Sequence, residues 1–87
     1  MNVEIYTKPD CPYCSRAKSL LRDQQIPFTE QKLDEDFTRE ILLEKFPEAK
    51  SFPVVVIDGF RIGGYTELRH KLMEETQDTR KLLNEGN

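Results

Sequence analysis

The chain has 87 residues, of which 37% are hydrophobic and 33% are charged, and its formal net charge is −3. This composition predicts one small globular domain, residues 1–87, with a heavily solvated surface. Acidic and basic residues are interspersed, so no basic patch indicates nucleic-acid binding, and no apolar run approaches the roughly 20 residues of a membrane-spanning helix.

A strand, a helix and a second strand are the first elements expected along the chain. Residues 2–7 alternate in polarity and are rich in β-branched and aromatic side chains, which is typical of a strand. Pro12 falls in the first turn of a helix, whose apolar residues recur at helical spacing until Ile26 and Pro27 end it. Residues 28–33 predict a second strand, which a right-handed crossover would place parallel to the first.

A second helix and a fully buried strand are expected next. Asp34 or Asp36 could cap this helix, whose apolar positions begin with Phe37 and which Pro47 would stop. Residues 53–57 form a continuous apolar run between chain-breaking residues, which suits a strand covered on both faces.

A hairpin and a third helix complete the predicted fold. Asp58 and Gly59 are a hairpin signal, followed by a short return strand over residues 60–62. Thr66 can cap a helix that runs through Leu72, and the remaining stretch either extends it or forms another.

The element order βαβαββα predicts an α/β fold, in which helices cover a mixed four-stranded sheet. Ligands of such sheets gather at the carboxyl ends of parallel strands, and Cys11 lies at that position. The phenylalanines and residues 54–57 are expected in the core, and no aromatic stripe suggests stacking on nucleobases.

The two cysteines of the chain, Cys11 and Cys14, are the strongest functional signal. A thiol at a helix N-terminus lies where unpaired N–H groups and the helix dipole favour the nucleophilic thiolate. One turn later Cys14 reaches the same face and can close a disulfide with Cys11.

Other interpretations of the pair are weaker. A disulfide across so short a loop would stabilise the fold little, and a structural zinc site needs about four ligands, whereas His70 is the sole histidine. A chance pairing remains the alternative. With no signal peptide before the first strand, we expect a cytoplasmic protein, in which a lone cysteine pair is catalytic rather than structural. The C-x-x-C spacing beside a βαβ pattern indicates a thioredoxin-like redox motif.

Four segments together resemble a known family over about residues 2 to 73. They are residues 2–8 (NVEIYTK), 11–14 (CPYC), 52–53 (FP) and 62–68 (IGGYTEL). The chain is similar to the dithiol glutaredoxins, which have the thioredoxin fold. The resemblance implies a monomer without a metal, which uses glutathione as co-substrate to reduce protein disulfides and glutathione mixed disulfides. It also implies disulfide-containing partners such as ribonucleotide reductase.

The resemblance also implies roles for individual residues. Cys11 would attack the substrate disulfide and Cys14 would resolve the mixed disulfide. Lys8 would favour the Cys11 thiolate and pair with a glutathione carboxylate, although it could be an ordinary solvated lysine. Tyr13 would flank the site as an apolar wall with a hydroxyl, although it could be a surface aromatic of no consequence.

A second group of residues would hold glutathione. Pro53 resembles the family's cis-proline, which would let the backbone of Phe52 pair with the cysteine segment of glutathione. The plain alternative is that Pro53 starts a strand. Gly64, Tyr65 and Thr66 would bind the γ-glutamyl carboxylate at free backbone N–H groups of the third helix, unless the glycines merely allow positive φ.

Two departures from the family pattern affect glutathione binding. Most relatives have Thr-Val before the cis-proline, whereas this chain has Ser51 and Phe52, and the added bulk is expected to narrow or reshape the groove. Many relatives place an arginine shortly upstream, so Lys50 or Arg39 would have to bind the glycine carboxylate here. His70 is expected to be a surface or cap residue.

Three other functions are compatible with the sequence. The chain could be an electron donor that thioredoxin reductase reduces directly, against which residues 63–66 argue. It could carry an iron–sulfur cluster held by Cys11 of two chains and two glutathiones, which Pro12 and Tyr13 disfavour because cluster carriers usually have smaller residues there. It could also be a pure interaction module.

Overall fold

The computed structural model describes residues 1–73, which contain four strands and three helices. The elements in chain order are β1 (Val3–Thr7), α1 (Pro12–Asp23), β2 (Thr29–Lys32), α2 (Arg39–Lys45), β3 (Val54–Ile57), β4 (Phe60–Gly63) and α3 (residues 65–73). The element order is the expected one, and the chain beyond residue 73, including any extension of the third helix, lies outside the described residues. None of the described helices is long and apolar enough to cross a lipid bilayer.

The four strands form one sheet in the order β2-β1-β3-β4. Strand β1 runs parallel to β2 and antiparallel to β3, and β3 runs antiparallel to β4. The mixed sheet and the parallel first pair are therefore confirmed. Tyr6 near the end of β1 lies opposite Val54 at the start of β3, so the segments after β1 and before β3 share one edge of the sheet.

The core consists of two layers, one on each face of the sheet, because successive strand residues point to opposite faces. Helices α1 and α3 cover one face, where the buried residues are Val3, Ile5, Ala17, Leu21, Val55, Ile57, Leu68 and Leu72. Helix α2 and its flanking segments cover the other, where they are Tyr6, Phe37, Leu42, Ala49, Val54 and Val56. All four residues of β3 are buried, as its unbroken apolar run predicts.

Helix α1 ends earlier than its sequence pattern suggests. Its last residue is Asp23, and Gln25 adopts a positive φ of 58°. The N–H groups of Gln25 and Ile26 donate to the carbonyls of Arg22 (3.0 Å) and Leu21 (2.8 Å), which is the hydrogen-bond pattern of a Schellman motif. The helix therefore stops before Pro27 because its last carbonyls are already satisfied.

Helix α2 is capped by Thr38, and the prediction of Asp34 or Asp36 is wrong. The Thr38 hydroxyl accepts a hydrogen bond from the backbone N–H of Ile41 (3.3 Å). Asp36 instead accepts one from the N–H of Lys32 (2.8 Å) and closes the turn after β2. Phe37 precedes the helix and is buried, which is why its apolar character matched a helical pattern it does not belong to.

The hairpin forms at Asp58 and Gly59, whose φ angles of 52° and 86° are both positive, as a two-residue type I′ turn requires. Phe60 follows the turn and is 76% exposed, so the expectation that all phenylalanines are core residues is wrong there. It lies directly after the turn on an edge strand, where the other residues of the range 1–73 leave most of its ring uncovered.

Helix α3 begins one residue before its predicted cap. Thr66 already lies in the first turn, and the side chain of Glu67 accepts a hydrogen bond from the N–H of Gly64 (2.7 Å). This is the reciprocal half of a capping box with glycine at the cap position, so the prediction that Thr66 caps the helix is wrong.

Candidate active site

Cys11 is the N-cap residue of α1, with Pro12 at the first helical position. Its Sγ atom accepts a hydrogen bond from the backbone N–H of Cys14 (3.1 Å), and its carbonyl accepts one from the N–H of Ser15 (3.2 Å). The sulfur thus takes the position that a serine or aspartate oxygen takes in an ordinary helix cap. An N–H group aimed at this sulfur stabilises negative charge on it.

Cys11 and Cys14 form a disulfide, with Cα atoms 5.2 Å apart. The pairing that the motif spacing permits is therefore present. The two sulfur-bearing residues differ in access, because Cys11 is half-buried whereas Cys14 is only 3% exposed. An incoming thiol can approach Cys11 more easily than Cys14, which fits the assignment of Cys11 as the attacked and attacking residue.

A cavity of about 640 Å³ opens beside the disulfide. It lies between the loop after β1, the start of α1 and strand β2. Besides Thr7, Pro12 and Ser15, its walls carry both cysteines and four charged side chains, namely Lys8, Asp10, Cys11, Cys14, Lys18 and Glu30. Lys8 and Cys11 thus line the same space, as their predicted roles require.

Glu30 on β2 is the centre of a polar network in this cavity. Its Oε2 atom accepts hydrogen bonds from the Thr7 hydroxyl (2.7 Å) and from the Lys18 ammonium (3.0 Å). Burial acts to raise the pKa of Glu30, but the hydrogen bonds from Thr7 and Lys18 and the positive charges of Lys18 and Lys32 outweigh it and lower the pKa. Glu30 is therefore a carboxylate that holds Lys18 in place on the wall of the cavity that the two cysteines also line.

Two cationic side chains, Lys8 and Arg39, lie near the Phe52 ring on the other side of the site. The Nζ atom of Lys8 lies 5.9 Å from the centre of this ring, and the Cζ atom of Arg39 lies 5.7 Å from it. Both distances are within the range of a cation–π contact. The peptide bond from Phe52 to Pro53 is cis, as the resemblance implies. Of the two candidate substitutes for the missing upstream arginine, Arg39 is therefore the one held against Phe52.

A smaller cavity of about 270 Å³ brings Pro53 and Gly64 together, and Lys50 lies on its wall. A Cβ atom built on Gly64 would lie 3.2 Å from the Pro53 carbonyl oxygen, so the absence of a side chain permits this close approach. Of the predicted site residues, Pro53 and Gly64 line this cavity, whereas Lys8, Cys11 and Cys14 line the larger one.

The first turn of α3 is less open to an anion than the sequence suggests. The N–H of Gly64 is occupied by Glu67, and this hydrogen bond is the main cause of the lowered pKa of Glu67. The Glu67 backbone N–H and the charges of Arg61 and His70 act in the same direction, against desolvation. The Gly64 N–H is therefore not available to an anion, and the candidate donors are the next N–H groups, those of Tyr65 and Thr66.

Tyr13 and Tyr65 form one aromatic wall next to Cys11. Their ring centres are 5.8 Å apart, and the guanidinium carbon of Arg16 lies 5.1 Å from the Tyr13 ring centre. Tyr13 is 53% exposed, so its ring presents an apolar surface to solvent beside the disulfide. His70 is exposed, as expected.

Two features of the site were missed by the sequence reasoning. The contact of Lys18 with Glu30 depends on how α1 packs against β2, which the sequence does not disclose, although Lys18 lies four residues after Cys14. The hydrogen bond from the Gly64 N–H to the Glu67 carboxylate could have been predicted from the sequence, because a glutamate three residues after a cap position is a known helix-start signal. Within residues 1–73, no three His, Cys, Asp or Glu side chains group closely enough to hold a metal ion.

Known proteins resemble this chain both in sequence and in structure. The family model described as Glutaredoxin matches residues 3–62. Glutaredoxin 3 of Escherichia coli K12 is 40% identical over 67 residues, which cover 77% of this chain and 81% of that protein. The crystal structure of glutaredoxin 1 from Francisella tularensis, complexed with cacodylate, superposes with a TM-score of 0.70 at 29% identity, covering 87% of this chain and 96% of that one. A buckwheat glutaredoxin–glutathione complex superposes with a TM-score of 0.67 at 27% identity, covering 88% and 69%.

Proposed function

The chain belongs to the glutaredoxin family, and we propose that it uses glutathione to reduce protein disulfides and mixed disulfides between proteins and glutathione. It is a thiol–disulfide oxidoreductase with the thioredoxin fold. The observation that carries the proposal is the asymmetric cysteine pair, in which the accessible Cys11 sulfur caps α1 and the Cys14 sulfur is buried behind it.

Reduction of a protein disulfide proceeds in two exchanges. The Cys11 thiolate attacks one substrate sulfur, a new S–S bond forms, and the other substrate sulfur leaves as a thiolate that takes up a proton. Cys14 then loses its proton and attacks Sγ of Cys11, which releases the second substrate sulfur as a thiol. The substrate has gained two electrons, and Cys11 and Cys14 are left as the disulfide.

Two molecules of glutathione return the enzyme to the dithiol. The first attacks Sγ of Cys11, so Cys14 leaves as a thiolate and is protonated. The second attacks the glutathione sulfur of that mixed disulfide, which releases Cys11 and forms glutathione disulfide. A substrate that is already glutathionylated passes its glutathione directly to Cys11, so Cys14 is not needed for it.

Several residues support glutathione as the reductant. Lys8 and Arg39 flank the Phe52 ring and provide positive charge for the glycine carboxylate. The backbone of Phe52, before Pro53, is the proposed partner for the cysteine segment of glutathione. The N–H groups of Tyr65 and Thr66 would receive the γ-glutamyl carboxylate, and Tyr13 would wall the site beside Tyr65. The buckwheat glutaredoxin was solved as a complex with glutathione, which supports glutathione as the reductant.

The proposed physiological setting is the cytoplasm. Residues 1–87 act as one monomeric glutaredoxin domain, located in the cytoplasm, where a glutathione pool of low potential can supply the electrons. Disulfide-containing enzymes such as ribonucleotide reductase are the proposed protein substrates.

Glutathione-coupled reduction of a small mixed disulfide tests this function. The wild type is assayed with glutathione and glutathione reductase, and in parallel with thioredoxin reductase and no glutathione, with the Cys11→Ser variant as control. We expect turnover that saturates with glutathione and is lost in Cys11→Ser. Turnover with thioredoxin reductase and no glutathione would mean that this reductase, and not glutathione, supplies the electrons. A brown anaerobic preparation with cluster absorbance and no turnover would indicate an iron–sulfur carrier.

A further inference from the structure

Cys14 must carry negative charge twice in each dithiol cycle, yet it is almost completely buried. It is 3% exposed, and its sulfur becomes a thiolate both as the nucleophile that resolves a mixed disulfide and as the leaving group that glutathione displaces. Burial in apolar surroundings disfavours a thiolate. Whereas Cys11 has the helix N-terminus to stabilise its charge, Cys14 lies inside the first turn and needs another source of stabilisation.

Within residues 1–73, four charged side chains line the larger cavity together with Cys14. They are Lys8 and Asp10 from the loop after β1, Lys18 from α1 and Glu30 from β2. Lys8 lies against the Phe52 ring, on the side proposed for glutathione. Asp10 and Glu30 are acidic and would oppose a thiolate. Lys18 is therefore the cation best placed to serve Cys14.

The helix geometry supports this choice. Lys18 follows Cys14 by four residues on α1, and residues at this spacing are neighbours on one helix face, with Cβ atoms about 5–6 Å apart. The ammonium group of Lys18 is not a freely moving surface charge, because it donates to Oε2 of Glu30 at 3.0 Å and its side chain is 22% exposed. Thr7 binds the same oxygen and is itself buried, which fixes the carboxylate from the other side.

We propose that Lys18, anchored by Glu30, is a positioning residue that stabilises the thiolate of Cys14. When glutathione attacks Sγ of Cys11, a new S–S bond forms between them and the Cys11–Cys14 bond breaks. The electron pair moves to the Cys14 sulfur, and the resulting thiolate lines the same cavity as Lys18 before it takes a proton from solvent. In the resolving step the same thiolate forms by loss of that proton and attacks Cys11. The Glu30 carboxylate offsets part of the Lys18 positive charge, but it also holds the ammonium group on the wall of the cavity that Cys14 lines.

The inference rests on the proposed dithiol exchange, but its test does not use turnover. In the Cys11→Ser variant, Cys14 is the sole cysteine, and thiolate absorbance at 240 nm reports its titration directly. Lys18→Met is compared with Lys18→Arg, which keeps the charge. It is also compared with Arg22→Met, which removes a positive charge from the same helix; the Arg22 guanidinium stacks on the Phe28 ring. We expect Lys18→Met to raise the titration midpoint by about one pH unit, a tenfold loss of thiolate at neutral pH. Lys18→Arg should keep the titration midpoint close to that of the Cys11→Ser parent, and Arg22→Met should leave the midpoint unchanged.

Each outcome decides the question. An unchanged midpoint in Lys18→Met overturns the proposal, as does an equal rise in Lys18→Met and Arg22→Met, because the effect would then be one of net charge. If Lys18→Met does not fold by circular dichroism, Lys18→Gln replaces it in the same series. Failure of glutathione turnover in the wild type with a normal Lys18 effect would instead count against the proposed function alone.

Discussion

The backbone N–H of Cys14 donates a hydrogen bond to the Sγ atom of Cys11 over 3.1 Å. One residue of the redox pair thus stabilises charge on the other through its main chain while its own sulfur stays buried. The two thiols of the reduced protein should therefore differ in reactivity, although they belong to the same helical turn.

We expect Cys11 to be alkylated faster than Cys14, by about tenfold or more at neutral pH, because thiolate content and access both favour it. A short pulse of iodoacetamide on the reduced protein, followed by peptide mass spectrometry, measures the two rates. The single-cysteine variants Cys11→Ser and Cys14→Ser give each rate in isolation. Equal rates, or a faster Cys14, would contradict the assigned roles.

The Cys14→Ser variant should separate the two activities. It should keep activity on glutathionylated substrates, since that route needs only Cys11 and glutathione, and lose most of its activity on protein disulfides. The measurement is coupled turnover with a glutathionylated peptide and with a protein disulfide, side by side. Loss of both activities would show that the route through one cysteine is closed in this chain.

Replacing Lys8 with glutamate should act on both the thiol and the ligand. Lys8 shares the cavity wall with Cys11, so reversal of its charge should raise the pKa of the Cys11 thiol and move the pH–rate profile upward. The glutathione concentration for half-saturation should rise about threefold to fivefold, as expected for loss of a partly solvated ion pair. Lys45→Glu makes the same charge change on the exposed end of α2 and is the control. A Lys8→Glu profile equal to that of Lys45→Glu would remove Lys8 from the site.

Glu30→Gln should destabilise the fold in a pH-dependent way. The folded-state pKa of Glu30 is lowered, mainly by the hydrogen bonds from Thr7 and Lys18, which outweigh the opposing effect of burial. Its contribution is therefore present above the ordinary carboxyl pKa and disappears as the pH falls through the lowered value. We expect a loss of about 1 kcal/mol in the free energy of unfolding at pH 7, shrinking toward zero in strong acid.

Urea denaturation of Glu30→Gln and wild type at neutral and acidic pH measures this difference. Glu44→Gln, which removes an exposed carboxylate from α2, is the control and should have little effect at either pH. A Glu30→Gln deficit that stays constant with pH would mean that its charge does not contribute.

The fold was largely predictable because the buried elements carry strong local signals. The unbroken apolar run of β3, the alternation of β1 and the Asp58–Gly59 turn each allowed one interpretation, and together they determine the mixed sheet. Cys11 and Cys14 were found for a similar reason, since a helix start beside a C-x-x-C motif has few other uses.

The predictions that failed involve polar contacts between side chains and backbone. Thr38 rather than an aspartate caps α2, and Glu67 occupies the Gly64 N–H, because several residues near each helix start could serve and packing selects among them. The network of Thr7, Lys18 and Glu30 joins three elements and depends on their packing. No pattern of local spacing could have disclosed it.

The antiparallel pairing of β1 with β3 keeps the segments that carry Cys11 and Pro53 next to each other. The loop with Cys11 leaves β1 after Thr7, and the segment with Pro53 enters β3 at Val54, which lies directly opposite Tyr6. Both strands lie in the interior of the sheet, so fraying of the outer strands β2 or β4 cannot move these two segments apart. Amide hydrogens of Tyr6 and Val54 should exchange with deuterium only on global unfolding, and the reactive geometry should last as long as the native state itself.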